Sequence, residues 1–498
     1  MILPVTISPG WAGIWFNDNM NFKAVSHILM RIMVISAISL LACVPVAILY
    51  REPATPFIYS ALTASALAGF LFLFGGKLPG LDSFTRREAY LSVSFSWLII
   101  SLIGAIPYLI SGAIPNLTDA VFESVSGFTT TGSSILTDIE SLPKSILFWR
   151  STTHWIGGLG IIVLVIVIMP SLNIGGYNLF TLESSFQEKI QPKIKSVGRR
   201  LLYIYLVLSL SETLLLLAGG MNLFESVCHT FGTVATGGFS PKNTSIGGYS
   251  PYIQYIVMIF MMLSGMNFVI HYYLVKREFK KIRQNEELKF YLLVIFLSGF
   301  IITGILYFQT DRSFEPAFRE SFFQVISIIT CTGYASADYL LWPAFGAVLI
   351  FMLMFFGGST GSTAGGIKMA RHLVSIKNSY RSFRLMISPN AIIPLRINNR
   401  SMSTDENNGI LTFILWYFFI FVLGSMLLIF FGNDLATAGS SVATAMGGIG
   451  PGFGTVGPAS NFAHLSEASK VTMGFLMILG RLEIYTVIML FTPWFWKN

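Results

Sequence analysis

The stretch Ala120–Ser134 reads AVFESVSGFTTTGSS. It begins as a short apolar segment and ends in a polar, glycine-bearing turn, FTTTGSS, at residues 128–134. Long apolar runs lie on both sides of it, near residues 90–112 and 146–170. Irregular backbone at membrane depth is tolerated only where it lines water or is buried in protein. One such turn is weak evidence, but relatives elsewhere in the chain would indicate a repeated unit.

Three later segments share the layout of a short apolar stretch followed by a small polar turn. They are LFESVCHTFGTVATGGFS at 223–240, ESFFQVISIITCTGYAS at 320–336 and AGSSVATAMGGIGPGFG at 438–454. Alignment of the turns pairs Gly132, Gly237, Gly333 and Gly450, at intervals of roughly one hundred residues. The stretches before the turns are too short to span a bilayer. The pattern therefore predicts four helix–short helix–helix units with re-entrant short helices.

The composition favours a polytopic membrane protein. Hydrophobic residues make up 53% of the 498 residues and charged residues only 11%, against about 25% charged in soluble proteins. The net charge of +8 comes from basic residues in separate loops, which argues against a nucleic-acid patch. Cys43, Cys228 and Cys331 suggest no disulfide framework. The six histidines lack metal-ligand spacing, so we expect His154 and His229 to pack or form hydrogen bonds.

Alternate loops are rich in lysine and arginine. The basic residues are Lys77, Arg86 and Arg87; Lys189, Lys193, Lys195, Arg199 and Arg200; Lys276, Arg277, Lys280, Lys281 and Arg283; and Lys377, Arg381, Arg384, Arg396 and Arg400. Basic loops stay on the cytoplasmic side of a membrane. This predicts that both termini are cytoplasmic and that FTTTGSS lies on the outer side.

The apolar runs divide the chain into six parts. These are an N-terminal segment at 1–25, a leading transmembrane hairpin at 26–75, and pore repeats at 90–170, 198–275, 289–375 and 409–492. Met1 and Met20 are both candidates for the start of translation. The predicted fold class is an all-α polytopic membrane protein. In it, a leading two-helix hairpin precedes four pseudo-symmetric helix–pore-loop–helix repeats around one pore.

Four polar turns around one axis suit a cation filter. Rings of backbone carbonyls can replace the hydration shell of an ion, and the negative C-terminal ends of the short helices favour a cation. Glycine supplies the φ freedom that such turns need. The hydroxyls of Thr130, Thr131, Thr236 and Thr332 could add ligands. For any single turn, the alternative is a plain glycine turn between helices.

Glutamates precede the first three turns. Phe-Glu-Ser occurs in the first two repeats and Glu-Ser in the third, at different offsets from the glycine. We therefore expect Glu123, Glu225 and Glu320 to supply negative charge at the mouth, without being equivalent residues.

The run GGSTGSTAGGIKMAR, at 357–371, interrupts the apolar span after the third turn. So many glycine, serine and threonine residues disfavour a continuous helix, which predicts an intramembrane loop that blocks or opens the pore. The alternative is close helix packing through small residues. A phosphate-binding loop is excluded because Ile367 separates Gly366 from Lys368 and Met369 takes the Ser/Thr position. No G-x-S-x-G serine elbow is present in the run either.

Arg481, in GRLEIYTVIML, is a second intramembrane charge. Such a residue is costly and indicates function by default. Glu483 is two positions away and does not face it on a helix. The alternatives for Arg481 are snorkelling to an interface or pairing with another helix.

The sequence resembles the bacterial Trk/Ktr potassium-uptake superfamily, and specifically its TrkH-type membrane subunits, over nearly the whole chain. The motifs that carry the resemblance are FESVSGFTTTGSS, SLPKSILFWRSTTHWIGGLGIIVLVIVIMPSL, CHTFGTVATGGFS, GGSTGSTAGGIK, GIGPGFG and GRLEIYTVIMLFTPWFW. The leading pair of spans is similar to the extra hairpin of TrkH and TrkG, which Ktr-type subunits lack. The resemblance implies gated K+ uptake at the inner membrane. It also implies a homodimer and a cytosolic TrkA-type ring that binds the regulatory nucleotide, with no cofactor bound covalently to this chain.

The resemblance also implies roles for particular residues, with K+ as the only metal. The implied filter is Thr130, Thr131 and Gly132; Ala235, Thr236 and Gly237; Cys331, Thr332 and Gly333; and Gly448, Ile449 and Gly450. The implied gate is Gly357, Gly358, Ser359, Thr360, Gly361, Ser362, Thr363, Ala364, Gly365 and Gly366. Arg481 and Lys368 are implied as an electrostatic barrier in the pore. Two departures from the family pattern bear on selectivity for K+ over Na+. Gly447 and Gly448 stand where relatives often carry asparagine, and Cys331 precedes Thr332 in the third turn.

Other functions remain open on the sequence alone. Symport coupled to H+ or Na+ usually needs an intramembrane carboxylate or histidine relay. The acids of this chain cluster by sequence at helix ends and loops, which favours channel-like conduction. An intramembrane serine hydrolase would pair Ser359 or Ser362 with His372, but it would leave the four turns unexplained. A sensor that no longer conducts is the third possibility.

Overall fold

The computed structural model describes residues 20–76, 86–167 and 190–496. Regular structure within them is helical except for one short antiparallel pair, β1 (Arg396–Ile397) and β2 (Arg400–Ser401). The predicted all-α fold class is confirmed. Residues 1–19 of the predicted N-terminal segment, residues 168–170 of the first repeat, and Lys77 and Lys189 of the basic loops lie outside the described residues.

Several helices can cross a bilayer. Within the described ranges, six are long and apolar enough: Phe22–Leu49, Thr55–Gly75, Arg87–Ile110, Gly198–Ala218, Glu286–Gln309 and Thr404–Phe430. Two helix pairs pass the same test only as bent spans. These are Pro251–Ser264 with Phe268–Val275, bent by 100°, and Glu467–Arg481 with Ile484–Phe491, bent by 115°. The chain is a multi-pass membrane protein, since a spanning helix needs about 20 predominantly apolar residues.

The leading hairpin is formed by α1 (Phe22–Leu41), α2 (Val44–Leu49) and α3 (Thr55–Gly75). The Asn21 side chain accepts a hydrogen bond from the amide of Ala24 and so caps α1. Proline lies in the first turn of α3, where its missing N–H has no cost. Helix α1 packs against α3 along its length and also against the first repeat.

Each repeat consists of a long helix, a short helix, a turn and a second long segment. The first repeat contains α4 (Arg86–Ile110), α5 (Leu117–Phe128) and α6 (Lys144–Val167). The second contains α7 (Ile190–Ala218), α8 (Leu223–Val234), α9 (Pro251–Ser264) and α10 (Phe268–Val275), and α11 (Phe279–Gln284) follows it.

The later repeats have more broken second segments. The third contains α12 (Glu286–Gln309), α13 (Phe314–Ile329), a 3-10 turn (Tyr339–Leu341), α14 (Ala344–Leu353) and α15 (Met369–Ile387). The fourth contains α16 (Thr404–Phe430), α17 (Leu435–Gly447), a 3-10 turn (Gly454–Val456), α18 (Glu467–Arg481) and α19 (Ile484–Ile488). A 3-10 turn (Met489–Phe491) and α20 (Pro493–Trp496) end the described chain. The apolar run after the third turn is therefore two helices, and the second extends beyond the predicted boundary at residue 375.

Three of the four short helices start at side-chain caps, and α13 is the exception because the Ser313 side chain makes no such bond. Asn116, Asn222 and Asp434 each accept a hydrogen bond from a backbone amide in the first turn of α5, α8 and α17. Such caps satisfy amides that have no partner within the helix. The short helices are largely buried, and α18 of the fourth repeat packs against α5 of the first. Lys470 on α18 donates to Asp119 on α5 at 2.7 Å, so the fourth repeat closes onto the first.

Candidate ion pathway

The four short helices end in turns with one shared backbone geometry. In each turn, one amide donates to the carbonyl five residues earlier at 2.8–3.0 Å; these amides belong to Thr131, Gly237, Thr332 and Ile449. The residue before that amide is left-handed in every turn: Thr130, Thr236, Cys331 and Gly448, with φ between +53° and +67°. A non-glycine residue in this region costs on the order of 1 kcal/mol or more, and such strain is typical of functional sites.

This geometry fixes which residues correspond. The first turn is Thr130–Gly132, the second Thr236–Gly238, the third Cys331–Gly333 and the fourth Gly448–Gly450. The sequence alignment is wrong by one residue in the second turn, since Gly238 and not Gly237 has the positive φ of the other closing glycines. Ala235 is the cap residue that ends α8. Two consecutive glycines made the sequence ambiguous, and backbone geometry decides between them.

The closing glycines bring the four turns into contact in a ring. A Cβ on Gly132 would overlap the carbonyl oxygen of Gly237 in the second turn. A Cβ on Gly238 would overlap the carbonyl oxygen of Thr332 in the third turn, and a Cβ on Gly333 would overlap that of Ile449 in the fourth turn. The ring closes less tightly between the fourth and first turns, where a Cβ on Gly450 would lie 3.1 Å from the Thr131 oxygen. Only glycine permits this approach of backbone to backbone. We call these four turns the turn ring.

Hydrogen bonds at or beside the turns connect each neighbouring pair of repeats. Arg150 donates to the Ser240 carbonyl, between the first and second turns, at 2.9 Å. The Tyr334 hydroxyl donates to the His229 carbonyl, between the third and second, at 2.9 Å. The Tyr339 hydroxyl donates to the Gly452 carbonyl at 2.7 Å, and the Ser133 hydroxyl donates to the Gly450 carbonyl at 2.9 Å. Each turn is thus positioned by its neighbours as well as by its own helix.

Three threonine hydroxyls of the turns, those of Thr131, Thr236 and Thr332, bond to protein groups. Those of Thr131 and Thr332 lie 2.8 Å from the hydroxyls of Thr129 and Thr330, at equivalent places in the first and third repeats. The Thr236 hydroxyl donates to the Ala235 carbonyl at 2.6 Å. These bonds fix the turns to the helix ends, and the backbone carbonyls are the oxygen atoms common to all four turns.

Glu123 does not line the mouth, contrary to the expectation from sequence. Its carboxylate is fully buried and accepts from Arg150 Nε at 2.6 Å and from the amide of Ile135 at 3.0 Å. The Arg150 guanidinium also stacks over the Phe239 ring at 3.5 Å. This buried ion pair therefore joins the segments that follow the first and second turns. Nothing in the motif FESVSGF distinguishes such a buried acid from an exposed one.

Glu225 and Glu320 remain partly exposed. Glu225 lies 3.3 Å from Lys242 and accepts from the Tyr249 hydroxyl at 2.8 Å. Glu320 pairs with Arg312 at 2.8 Å. Their difference from Glu123 confirms that the three acids are not equivalent.

His154 and His229 pack and form hydrogen bonds, as predicted. His154 Nδ1 lies 2.7 Å from the Gly127 carbonyl, and its ring stacks on Phe239 at 4.0 Å. His229 Nε2 lies 3.0 Å from the Ser240 hydroxyl. The three cysteines are buried and unbridged.

The intramembrane loop, Gly357–Gly366, lies between α14 and α15 and contacts the ends of the short helices. The Thr363 hydroxyl is 3.1 Å from the Val234 carbonyl at the end of α8. A Cβ on Gly365 would overlap the Gly447 carbonyl at the end of α17, and one on Gly366 would lie 3.5 Å from Cys331 Sγ. The loop is therefore directly adjacent to the second, third and fourth turns.

Other elements hold the intramembrane loop in place. The Glu287 carboxylate on α12 accepts from the amides of Thr360 and Ala370, at 2.6 and 3.1 Å. The amide of Ser359 donates to the Gly265 carbonyl at 2.8 Å, and the Gly361 carbonyl accepts from the amide of Phe268 at 3.2 Å. The break between α9 and α10, at residues 265–267, thus supplies a second attachment. Sequence reasoning missed Glu287 because it stands among other charged residues, Arg283, Glu286 and Lys289, at the start of a helix.

Arg481 is buried, with 6% of its surface exposed, so it does not snorkel. Its guanidinium donates to the Thr363 carbonyl in the loop at 2.8 Å and to the Gly157 carbonyl on α6 at 3.1 Å. It is the last residue of α18, where the final span bends. Lys368 donates from Nζ to the Ala364 carbonyl, so it bonds to its own loop.

The bend after Arg481 carries a strained residue. Glu483 has a φ of +60° and pairs with the buried Arg371 at 2.6 Å. Arg371 also lies over the Phe413 ring at 3.8 Å. The start of α15, immediately after the loop, is thereby tied to the bend in the last span.

No serine–histidine pair exists in the intramembrane loop. The Ser362 hydroxyl donates to the Ser359 carbonyl at 2.7 Å. His372 Nε2 lies 3.1 Å from the Phe355 carbonyl, and its ring stacks on Phe356. The hydrolase alternative therefore lacks the nucleophile–base contact that it requires.

One acid contradicts the expectation that carboxylates cluster at helix ends. Glu212 lies within α7, six residues before the helix ends, and it is fully buried. Sequence reasoning passed over it as a single acid in an apolar run.

Known proteins match this chain over almost its entire length. The family model described as TrkH, cation transport protein, matches residues 66–497. The chain belongs to the TrkH family. It is 34% identical to the Trk system potassium uptake protein TrkH of Escherichia coli over 96% of this chain and 100% of that protein. It is 33% identical to the TrkG protein of the same organism over 96% of this chain and 99% of that protein.

A solved structure of a TrkH protein has the same fold. The crystal structure of the potassium transporter TrkH from Vibrio parahaemolyticus superposes with a TM-score of 0.88 at 30% identity, covering 96% of this chain and all of that one. TrkH-family members are transport proteins, and this chain is accordingly a membrane transport protein and not an enzyme. The family membership that the sequence motifs predicted is confirmed.

Proposed function

We propose that this chain takes up potassium by gated conduction of K+ through the turn ring. The observation that carries the proposal is that the four turns contact one another in a closed ring. Each closing glycine lies against a backbone carbonyl of the next turn. Four backbone turns held that closely can present rings of carbonyl oxygens to one dehydrated ion. The names of the TrkH and TrkG relatives support K+ as the ion.

The filter residues follow the corrected register. They are Thr130, Thr131 and Gly132; Thr236, Gly237 and Gly238; Cys331, Thr332 and Gly333; and Gly448, Ile449 and Gly450. Their carbonyl oxygens would be the K+ ligands. The C-terminal ends of the short helices add negative partial charge at the same place. The side chains at the middle position differ among the turns, so selectivity would rest on the backbone.

The intramembrane loop would be the gate. It lies against the ends of α8 and α17 and beside Cys331, and in this place it would obstruct the way from the turn ring. Arg481 would act as an electrostatic barrier and as a clasp, because its guanidinium bonds to the loop at Thr363. Lys368 adds a second positive charge at the end of the loop. Opening would require the loop to leave these partners.

The cellular setting follows from family and charge. The protein would lie in the bacterial inner membrane as a homodimer with both termini cytoplasmic. A cytosolic TrkA-type ring, which would bind the nucleotide, would dock on the basic segment from Lys377 to Arg400. That segment follows directly on the gate, since α15 begins at Met369 and runs to Ile387. Symport of K+ with H+ is the second candidate function, and the buried acid Glu212 is the observation that favours it.

Radioactive rubidium uptake into proteoliposomes tests conduction. Purified parent protein should take up rubidium, and excess potassium should compete better than sodium. Gly132→Ser should abolish uptake, because the added side chain enters the second turn. Gly304→Ala is the matched control, since nothing lies within 4 Å of its added Cβ. Absence of flux in the parent, even with a TrkA-type partner present, would overturn the proposal.

A further inference from the structure

Glu212 is a carboxyl group buried inside a membrane-spanning helix. It lies on the inward face of α7, in line with Tyr205, Ser209 and Leu216, which are also buried. The Tyr205 and Ser209 hydroxyls bond to α6 residues or to α7 itself. Glu212 is fully buried, as are the core side chains on the same face.

Neither oxygen of Glu212 has a hydrogen-bond partner. The Thr233 hydroxyl on α8 lies beside the carboxyl, but it donates its proton to the His229 carbonyl at 2.8 Å. No lysine or arginine of the described chain forms an ion pair with it. An unpaired carboxylate in such a place is too costly to remain ionised, and the group takes up a proton instead.

The elements packed against α7 carry several titratable or charged groups. These are Lys144, Arg150 and His154 on α6; Glu225, Cys228 and His229 on α8; Tyr252 and Tyr255 on α9; and His271, Tyr272 and Tyr273 on α10, with Tyr334 of the third repeat nearby. None of them bonds to the Glu212 oxygens. Arg150 is already paired with Glu123, and His229 with Ser240. The proton is therefore the ligand that the site can take without rearrangement.

The site adjoins the second turn. Thr233, next to the carboxyl, is in the last turn of α8, and its backbone carbonyl accepts from the amide of Thr236 at 2.9 Å. Thr236 is the left-handed residue of the second turn. The C-terminal end of a helix carries negative partial charge. An ionised Glu212 would repel this helix end and disturb the backbone from which the second turn begins.

We propose that Glu212 is a proton-binding site behind the second turn, and that loss of its proton lowers ion flux through the turn ring. The proposal rests on the proposed conduction of K+, but the site itself does not. In the structure the proton would lie on one oxygen of the carboxyl group and neutralise it. The site thus offers a route by which pH could act on the filter without any residue that touches the ion.

The proton itself can be detected by infrared spectroscopy of the reconstituted wild-type protein. A protonated carboxylic acid has a C=O stretching band that a carboxylate lacks. We expect this band at neutral pH in the wild type, its loss on titration to alkaline pH, and its absence in Glu212→Gln. An identical band region in the wild type and Glu212→Gln would overturn the proposal, whether or not either protein conducts.

Rubidium flux measured from mildly acidic to alkaline pH tests the link to the second turn. Wild-type flux should fall by about tenfold as Glu212 ionises. Glu212→Gln, which has nearly the same shape and no ionisable proton, should conduct without that fall, and Glu212→Asp should retain it. Glu278→Gln on the exposed loop before α11 is the matched control and should behave as the wild type. An unchanged pH profile in Glu212→Gln would refute the link, whereas absence of flux in every variant would instead refute conduction.

Discussion

The turn ring and the intramembrane loop are adjacent in space but are held in opposite ways. Each turn is fixed first by its own helix, through an amide that donates to the carbonyl five residues earlier. The loop has few such internal bonds, and its main partners are Glu287, Gly265, Val234 and Arg481 on other elements. Backbone formed locally persists when a neighbour moves, whereas backbone held by distant groups is released when they move. The same kinds of residue therefore form turns that are fixed locally and a loop that is held by distant groups.

The largest effect should come from breaking the turn ring at its second turn. Gly238→Ala should reduce rubidium flux to the level of protein-free vesicles. The new Cβ overlaps the Thr332 carbonyl, and the residue has a φ of +79° that alanine rarely adopts. Gly304→Ala, a glycine in α12 with free space around it, should conduct normally and gain a little helix stability. Normal flux in Gly238→Ala would show that the second turn does not line the ion path.

The next effect concerns the stability of the ring. Glu123→Gln should lower the free energy of unfolding by about 3–5 kcal/mol, because it leaves the buried Arg150 charge without its partner. Thermal unfolding of the detergent-solubilised protein measures the change. Glu225→Gln, which loses a pair with the partly exposed Lys242, should cost only about 0–1 kcal/mol. Equal losses in the two variants would remove the distinction between the buried acid Glu123 and the partly exposed acid Glu225.

Release of the intramembrane loop should raise ion flux, whereas disruption of the turn ring should lower it. Arg481→Met removes two hydrogen bonds from a charged donor, one of them to Thr363 in the loop, and each such bond contributes about 1.5–3 kcal/mol. We expect rubidium flux without a partner protein to rise by about tenfold or more. Arg384→Met, on the exposed end of α15, should leave flux unchanged. A fall in flux would mean that Arg481 supports the path rather than obstructing it.

A smaller rise in ion flux should follow when the attachment of the intramembrane loop to Glu287 is weakened. Glu287→Gln keeps an oxygen for the amides of Thr360 and Ala370 but removes the charge that strengthens both bonds. The expected increase in basal flux is about threefold, since only part of the bond energy is lost. Single-channel or vesicle flux measured beside Arg481→Met gives the comparison. An effect larger than that of Arg481→Met would reverse the order of the two attachments.

The sequence predicted the repeated architecture because the signal is local. Short apolar stretches, polar turns and their spacing are written in consecutive residues, and the caps Asn116, Asn222 and Asp434 could have been recognised before their helices. The register of the second turn could not be predicted. Gly237 and Gly238 are chemically identical, and only the folded backbone distinguishes them, since Gly238 has the positive φ and Gly237 makes the shorter hydrogen bond to the Gly232 carbonyl.

The long-range contacts were beyond the sequence for a different reason. Glu123 with Arg150, Glu287 with the loop, and Arg371 with Glu483 join residues far apart in the chain. A charged residue looks the same in sequence whether it faces water or a buried partner. Glu212 shows the limit most clearly, since a lone acid in an apolar run became informative only when its burial was known.

The order of contacts around the turn ring also bears on how the four repeats can diverge through evolution. Each closing glycine meets a backbone carbonyl, and a carbonyl is the same whatever side chain its residue carries. The middle positions hold threonine in two turns, glycine in one and isoleucine in one. Substitutions there can accumulate one repeat at a time, whereas loss of a glycine damages the neighbouring repeat as well. The four repeats can therefore diverge in their side chains, while the closing glycines have to be kept in all four.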